Sequence, residues 1–376
     1  MQPLVPQGSP YTADQVKAAL HAVHGSRRLS YTFDLLDANN AVIRDITNLV
    51  VAEQSTIKMD CTADDIKRSA TFQIKDDGSI NWLQNRIRPW AVLHMPDGGN
   101  IRWPQGIFIP AAPGRSYQGP STYRQVTAYD LMYILKQSGP NARYVVDEGT
   151  NIAGAVVTVL KNLGIQQINI QTCDKTMPTW YDWTPDVAWL DVCNTLLKII
   201  AYEPLWVDEQ GYFTSRPATT PQQRAEEYTY ATDEWSIIAP GATDELDYFS
   251  VPNQWVGIVS EPDKVVLTYT YQNDNPNSPT STVNRGGLII RKTINVDAAD
   301  LDSLQGIVEQ QAYTDSQVAR KVTFNTAAMP IHSYNDVYHL THTRLAVDGK
   351  YQELSWEMPL KGGAEMQHTV QEVLPV

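Results

Sequence analysis

Three histidines in the C-terminal part of the chain lie close enough in sequence to suggest a metal site. They are His332, His339 and His342, and imidazole nitrogen is a common ligand of Zn²⁺. The sequence predicts a strand over residues 337–347, in which side chains three positions apart point to opposite faces. His339 and His342 therefore cannot share an ion. We interpret the three residues as surface or hairpin histidines and expect no metal site.

Acidic residues form three local groups that could supply metal ligands or a catalytic pair: Asp64 with Asp65, Asp76 with Asp77, and Asp297 with Asp300 and Asp302. The first two groups lie beside predicted strand ends and are typical of turns. The third precedes a predicted helix, where acids favour the positive end of the helix dipole. None has the oxygen spacing and central glycine of an EF-hand. A glycosidase pair needs no sequence proximity, so a hydrolase stays an alternative, although nothing marks a particular pair.

Tryptophans in the middle of the chain suggest sugar binding, because flat aromatic rings can stack on sugar rings. Trp180, Trp183 and Trp189 form the best group, but Trp189 falls on the apolar stripe of a predicted helix, which favours a core position. The sequence contains no GxSxG, HExxH, GxxxxGK[ST] or GxGxxG motif. We therefore predict no catalytic residue, no cofactor and no enzyme activity, and we assign no individual interaction residue.

The composition indicates a globular protein with more than one domain. A length of 376 residues exceeds one ordinary core and suggests two to four domains. The net charge of −13 argues against wrapping around nucleic acid or lying on an anionic membrane.

Cys61, Cys173 and Cys193 lack disulfide-framework or zinc spacing and fit a reducing compartment, with Cys193 expected to be a small buried hydrophobe. We expect neither a signal peptide nor a membrane segment, since no window approaches about 18 apolar residues.

The clearest local unit, residues 183–217, is predicted to be a helix followed by a β-hairpin. Thr184 suits the N-cap and Pro185 the first helical position. An apolar stripe of 3.6-residue period follows, formed by Trp189, Val192, Cys193, Leu196, Leu197 and Ile200. Glu203-Pro204 ends the helix, and the strands 205–207 and 212–215 flank a turn closed by Gly211.

Short alternating segments separated by turn residues predict a β-rich region on each side of this unit, as in a barrel or a sandwich. In the first region the predicted strands are 30–35, 41–43, 46–51, 56–59, 70–74, 91–95, 107–109 and 123–127. In the second they are 255–260, 265–272, 288–296, 321–326, 337–347, 351–358 and 366–374, with a hairpin turn at Asp348-Gly349. Helices are predicted from a capping box at Thr12 to Gly25, and over 129–137, 151–163 and 301–319. The polar loop 273–281 is expected at the surface.

Three segments carry a resemblance to a known family. They are the strand–turn–strand pattern over 31–77, the unit ending IIAYEPLWVDEQGYFTSRP, and the loop NDNPNSPTSTVNRGG followed by NDVYHLTHTRLAVDGKYQELSWEMPL. In order and spacing the chain from Leu29 onward resembles the baseplate hub proteins of long-tailed bacteriophages, whose hub fold is shared with the N-terminal part of tail-associated lysins.

The expected fold class is α+β, mainly β, with two tube-like β-barrel domains, an α/β domain between them and a C-terminal β-hairpin region. The expected division is an N-terminal tail with a short helix (1–28), a first barrel (29–138), an α/β domain (139–245), a second barrel (246–330) and a C-terminal β region packing back on the hub (331–376). The chain stops at Val376, so we expect no lysin-type enzymatic domain after the hub.

The resemblance implies a structural role at the distal end of a phage tail. Three subunits with two barrels each would form a pseudo-hexameric ring that joins a six-fold tail tube to the tip and surrounds the DNA channel. The implied partners are two further subunits, the distal tail protein ring, the tape measure protein and other tail-tip or receptor-binding proteins, with DNA passing unbound. The implied location is the virion, after assembly in the host cytoplasm. The alternatives are a carbohydrate- or receptor-binding tail protein and a cell-wall hydrolase.

Overall fold

The structure, a computed structural model, describes residues 1–23, 25–118, 121–246, 248–259, 267–296, 301–316 and 320–373. Within these ranges the chain is mainly β, as the sequence predicts. None of the helices in them is long and apolar enough to cross a membrane.

The first helix, α1 (Ala13–Leu20), begins at the predicted capping box, because the Gln15 N–H donates to the Thr12 hydroxyl and the Thr12 N–H donates to the Gln15 side chain. It ends at Leu20, short of Gly25.

The first β region contains eight strands. They are β1 (Leu29–Leu36), β2 (Val42–Asp45), β3 (Thr56–Asp60), β4 (Arg68–Lys75), β5 (Arg86–His94), β6 (Asn100–Pro104), β7 (Phe108–Gln118) and β8 (Ser121–Asp130). The strand predicted over 46–51 was wrong. Asp45 accepts a hydrogen bond from the Thr47 N–H at 2.9 Å, which turns the chain directly after β2 and leaves only a short bridge at Val50.

The middle of the chain alternates short helices and strands. They are α2 (Met132–Lys136), β9 (Tyr144–Val146), α3 (Ile152–Asn162), β10 (Ile168–Ile170), β11 (Tyr181–Trp183), α4 (Trp189–Ile199), β12 (Trp206–Val207), β13 (Phe213–Ser215) and β14 (Thr229–Ala231). The hairpin β12–β13 is confirmed, but α4 does not start after Thr184. Trp183 pairs with Tyr144 in a β ladder, so the chain must turn before the helix can begin at Trp189.

The C-terminal part contains eight further strands and the longest helix. They are β15 (Thr243–Leu246), β16 (Gln254–Val259), β17 (Leu267–Gln272), β18 (Arg291–Asn295), α5 (Leu301–Ser316), β19 (Arg320–Ala327), β20 (Val337–His342), β21 (Val347–Pro359) and β22 (Glu365–Glu372). The hairpin turn predicted at Asp348-Gly349 was wrong. Both residues belong to β21 and pair with β20, and the turn lies at Thr343–Leu345, closed by Ala346 with a φ of 49°.

The polar loop after β17 is more buried than the sequence suggests. Asn273, Ser278 and Ser281 are buried, although we expected the segment at the surface. The Asn273 amide donates to the Ser278 hydroxyl at 2.8 Å, and the Asn284 amide donates to two loop carbonyls. The loop can bury its polar side chains because it satisfies them internally.

Fourteen strands form one sheet rather than two barrels. The order is β15-β19-β22-β21-β3-β4-β8-β7-β5-β1-β2, with β20 beside β21, β14 beside β20, and β6 beside β5. These described pairings close no barrel, which corrects the two tube-like barrels expected from the resemblance. The join is the antiparallel pairing of β21 with β3, from Ser355 opposite Asp60 to Pro359 opposite Thr56. We call β1–β8 the first β group, and β14, β15 and β19–β22 the second.

Three hydrophobic clusters form most of the described core. The largest runs through both β groups, from Phe33 and Phe72 to Phe324 and Val370. The second lies between α3, α4 and the hairpin β12–β13. The third is small and joins β16 to α5 through Trp255, with its own sheet in the order β17-β16-β18.

Candidate functional site

The three histidines of the C-terminal part do not form one site. His339 and His342 lie on opposite faces of β20, as predicted. His339 is half-buried and contacts Asp348 at 2.9 Å and Glu226 at 3.2 Å. His332, interpreted from the sequence as a surface or hairpin residue, is instead buried in the core of the second β group. There the His332 ring lies beside that of another histidine, His368, with the ring centres 4.7 Å apart.

A buried polar cluster surrounds His332. We use this name for His332, Asp336, Glu353 and His368, all buried. His332 Nδ1 lies 2.9 Å from Asp336 Oδ2 and 3.6 Å from Glu353 Oε2. His368 Nδ1 lies 3.0 Å from the same Glu353 Oε2. Two imidazoles and two carboxylates thus converge inside the largest hydrophobic cluster.

Hydroxyl groups hold the outer sides of these residues. The Tyr230 hydroxyl lies 2.7 Å from His332 Nε2, and the Thr326 hydroxyl lies 2.9 Å from His368 Nε2. The Tyr338 hydroxyl donates to Glu353 Oε2 at 2.9 Å. These contacts fix the orientation of both rings and of the carboxylate, since both Nε2 atoms and Glu353 Oε2 have a hydroxyl partner.

Burial and neighbouring charges have opposite effects on the pKa of each of two groups in the cluster, His368 and Asp336. Burial lowers the pKa of His368, although Glu353 counteracts the effect. Burial alone would raise the pKa of Asp336, but the Met1 amino group, 2.7 Å away, and the His332 ring lower it well below its usual range. A negative carboxylate and a neutral His368 are therefore favoured in the folded protein.

Sequence reasoning missed Glu353 and His368, although a signal for them exists. In β22 the buried positions alternate through Met366, His368 and Val370, and in β21 Glu353 follows the inward-facing Tyr351 by two residues. In a strand whose side chains alternate between the core and the solvent, the inward positions are normally apolar, so a polar residue at one of them breaks the pattern. Such breaks in the pattern on neighbouring strands are the expected sign of a buried polar site.

The local acidic groups are turn and helix residues rather than a site. Asp65 pairs with Lys136 at 3.0 Å, Asp76 accepts from Arg124 at 2.8 Å, and Asp77 accepts from the Ser79 N–H at 2.9 Å. Asp297 and Asp300 lie outside the described residues, and Asp302 lies in the first turn of α5.

The tryptophans of the middle region do not form a platform for a sugar. Trp183 is buried, and Trp189 packs against the second hydrophobic cluster, which confirms its predicted core position. Trp180 alone is well exposed, at 55%, with the Arg143 guanidinium 5.7 Å from its ring centre. Cys193 is buried as predicted, and burial raises the pKa of its thiol to about 12.

The two ends of the large sheet carry exposed apolar side chains. Within the described residues β2 pairs only with β1, and β15 pairs only with β19. On β2, Val42 and Ile43 are 56% and 52% exposed, and on β15 Leu246 is 49% exposed. Exposed apolar edge strands promote pairing with another chain, and soluble monomers normally protect them. These edges are the candidate assembly surfaces.

Comparison with known structures identifies the fold. The chain is similar to a tail protein from Neisseria meningitidis, at 14% identity and a TM-score of 0.62, over 91% of this chain and 97% of that one. It is similar to the 43 kDa tail protein of prophage MuSo2 from Shewanella oneidensis, at 9% identity and a TM-score of 0.63, over 92% of this chain and 99% of that one. It is also similar to a prophage tail protein from Listeria monocytogenes, at 10% identity and a TM-score of 0.52, over 92% of this chain and 95% of that one.

Sequence comparison adds nothing further, because no protein-family model and no curated protein matches the chain. The structural likeness nevertheless spans almost the whole of each tail protein, and it confirms the resemblance at the level of the fold. The chain adopts the fold of these tail proteins.

Proposed function

We propose that the protein is a structural component of a phage tail and forms the hub of the baseplate at its distal end. The observation that carries the proposal is the fold likeness to tail proteins over more than nine tenths of the chain. The absence of recognised catalytic motifs from the sequence is consistent with a role in assembly, and we propose no enzymatic activity.

We further propose that three copies form a closed ring. A contact between β2 of one copy and β15 of the next would cover the exposed Val42, Ile43 and Leu246 and satisfy both free edges. Such a head-to-tail contact joins two different surfaces, and it makes a ring when the rotation between copies closes. The two β groups of each subunit would then present six related modules to a six-fold tail tube, completed into tube-like walls only in the ring.

The remaining assignments follow from this assembly. The partners would be the distal tail protein ring, the tape measure protein and other tail-tip or receptor-binding proteins, and the location would be the virion after assembly in the host cytoplasm. The domain bounds expected from the sequence (1–28, 29–138, 139–245, 246–330 and 331–376) belong to the proposal, without the closed barrels. The net charge of −13 favours an acidic channel wall, along which DNA would pass without binding.

Light scattering of the purified full chain tests the ring. We expect a mass of three subunits at micromolar concentration. Val42→Glu with Ile43→Glu should shift the population to monomers, because charge on an edge strand opposes pairing. The matched control is Trp180→Glu, since Trp180 is 55% exposed and precedes β11, which belongs to a different sheet. It should remain a trimer.

Circular dichroism separates loss of assembly from loss of folding. The variant with Val42→Glu and Ile43→Glu, the edge variant, should keep the wild-type spectrum, because both substituted side chains are already exposed in the isolated subunit. A wild-type chain that stays monomeric, or an edge variant that stays trimeric, contradicts the proposed contact.

A further inference from the structure

We propose that the buried polar cluster binds one divalent transition-metal ion, with Zn²⁺ as the best fit. The ligands would be His332 Nδ1, His368 Nδ1 and a Glu353 carboxylate oxygen, with Asp336 beside His332 in the surrounding shell. Ligand atoms of His332, Glu353 and His368 all lie within 4.8 Å of one another. Imidazole and carboxylate are the ligand types that suit zinc.

The spacing of the donor atoms fits a tetrahedral ion. Zinc–nitrogen and zinc–oxygen bonds of about 2.0–2.1 Å place neighbouring ligand atoms about 3.3 Å apart. Glu353 Oε2 lies 3.0 Å from His368 Nδ1 and 3.6 Å from His332 Nδ1. These two distances lie on either side of the expected value, so small side-chain movements would bring the three ligands around one ion.

The groups around the ligands form the outer shell that zinc sites require. A histidine that binds a metal through one ring nitrogen normally has the other nitrogen in a hydrogen bond, which fixes the tautomer and the ring orientation. His332 Nε2 meets the Tyr230 hydroxyl at 2.7 Å, and His368 Nε2 meets the Thr326 hydroxyl at 2.9 Å. Both Nδ1 atoms therefore face the inside of the cluster.

One ligand atom is left without a partner. Within the described part of the chain Glu353 Oε1 is buried and has no hydrogen bond. An unpaired buried carboxylate oxygen is costly, and the β-bulge that follows Glu353 in its pairing with β22 keeps this side chain in place. A dication next to Glu353 would engage this oxygen and balance the buried charge of Glu353, whereas Asp336 already pairs with the Met1 amino group.

Because all three ligand residues are buried in the core, the site would be structural rather than catalytic. The ion would tie the segment between β19 and β20, which carries His332 and Asp336, to Glu353 of β21 and His368 of β22. The site would thus stabilise the second β group from inside. This inference goes beyond the proposed function and does not depend on it.

Metal analysis of the full chain is the direct test. After expression with zinc in the medium and gel filtration, mass spectrometry of the metal content should find about one zinc per chain. His368→Gln and Glu353→Gln should lose the zinc. The matched control is His339→Gln, because His339 lies on the same sheet outside the cluster, and this variant should keep it. Chelation should lower the melting temperature of the wild type by at least about 5 °C, and added zinc should restore it.

Measurements on the wild type decide the question even if the cluster variants fail to fold. Refolding with Co²⁺ should give the strong visible absorption of tetrahedral cobalt. A wild-type chain that contains no metal, takes up none on refolding and melts at the same temperature in chelator and in zinc would overturn the proposal. Zinc retained in a folded His368→Gln variant would place the ion elsewhere and would overturn it too.

Discussion

Met59 of β3 and Trp356 of β21 are paired neighbours in the large sheet, and both side chains are buried. This pair lies at the join between two β groups that are far apart in sequence. The hydrophobic cluster on either side of it is continuous, since Phe72 of β4 and Val370 of β22 belong to the same cluster. Both β groups should therefore depend on one core.

Met59→Ala should lower the free energy of unfolding by about 2–5 kcal/mol, the usual cost of removing a buried Met side chain. The two β groups should still unfold in one step, because they share the core. Denaturation followed by circular dichroism and tryptophan fluorescence measures both points. Lys58→Ala is the control, since the Lys58 side chain is 54% exposed and should change stability by no more than about 0.5 kcal/mol. Non-coincident transitions in wild type would contradict the shared core.

Glu209→Gln should destabilise the protein by about 3–5 kcal/mol. Glu209 lies in the β12–β13 turn and pairs with Arg68 of β4, and both residues are buried. Removing the carboxylate leaves a buried guanidinium without its counter-charge. Urea unfolding of Glu209→Gln measures the loss, and Arg68→Met added to it should recover much of the stability.

The control for this prediction is an exposed ion pair in the same sheet. Lys58 and Glu357 lie 3.9 Å apart with about half of each side chain exposed. Glu357→Gln should cost less than about 1 kcal/mol. Equal losses at Glu209 and Glu357 would show that burial of the first pair does not matter.

Asp130 should make stability depend on pH. Burial raises the pKa of Asp130 to about 6, although Arg68 counteracts the effect. Its pKa in the unfolded chain is near 3.8, so the folded state binds this proton more tightly. The stabilisation is complete below about pH 4 and is lost as the pH rises through about 6. The stability advantage of the wild type over Asp130→Asn should therefore shrink by up to about 3 kcal/mol between pH 4 and pH 7.

Unfolding by urea across this pH range measures the difference. Asp130→Asn is expected to be less stable at low pH as well, because Asp130 accepts from the backbone N–H groups of both Arg68 and Met132. Glu234→Gln, at an exposed carboxylate, should give a difference that does not change with pH. A constant difference for Asp130→Asn would contradict the prediction.

Gly257→Ala should weaken the packing of α5 on β16. A Cβ atom at Gly257 would lie 2.3 Å from a methyl carbon of Val308 and 2.9 Å from one of Leu304. Relieving that clash should cost about 1–3 kcal/mol. Gly306→Ala is the matched control within α5, where the added methyl group meets nothing within 4 Å. It should stabilise the helix by about 0.5–1 kcal/mol. Thermal unfolding of the two variants should move in opposite directions.

Local chemistry made part of the fold predictable. The capping box at Thr12 and Gln15 forms as expected because its two hydrogen bonds involve only residues three apart. The hairpin β12–β13 was predicted from its turn, and Asp208 indeed accepts from the N–H groups of Gln210 and Tyr212. Such features depend on neighbours in the sequence, so the sequence shows them directly.

Long-range pairing explains what could not be predicted. Asp348-Gly349 has the composition of a hairpin turn, but its backbone pairs with Thr341 and Leu340 and continues the ladder. The meeting of Glu353 with His368 likewise depends on the pairing of β21 with β22. No residue near either position in the sequence reports these partners, so tertiary context decided both.

β21 pairs with strands of both β groups along its length. One of its sides pairs with β22, and the other pairs first with β20 and then with β3, so Ser355 is opposite both Thr369 and Asp60. A pull along such a strand loads many backbone hydrogen bonds in shear at the same moment, whereas peeling would break them one at a time. Tension applied to either β group is consequently transmitted to the other through the backbone hydrogen bonds of β21. The two β groups respond to mechanical load as one rigid unit.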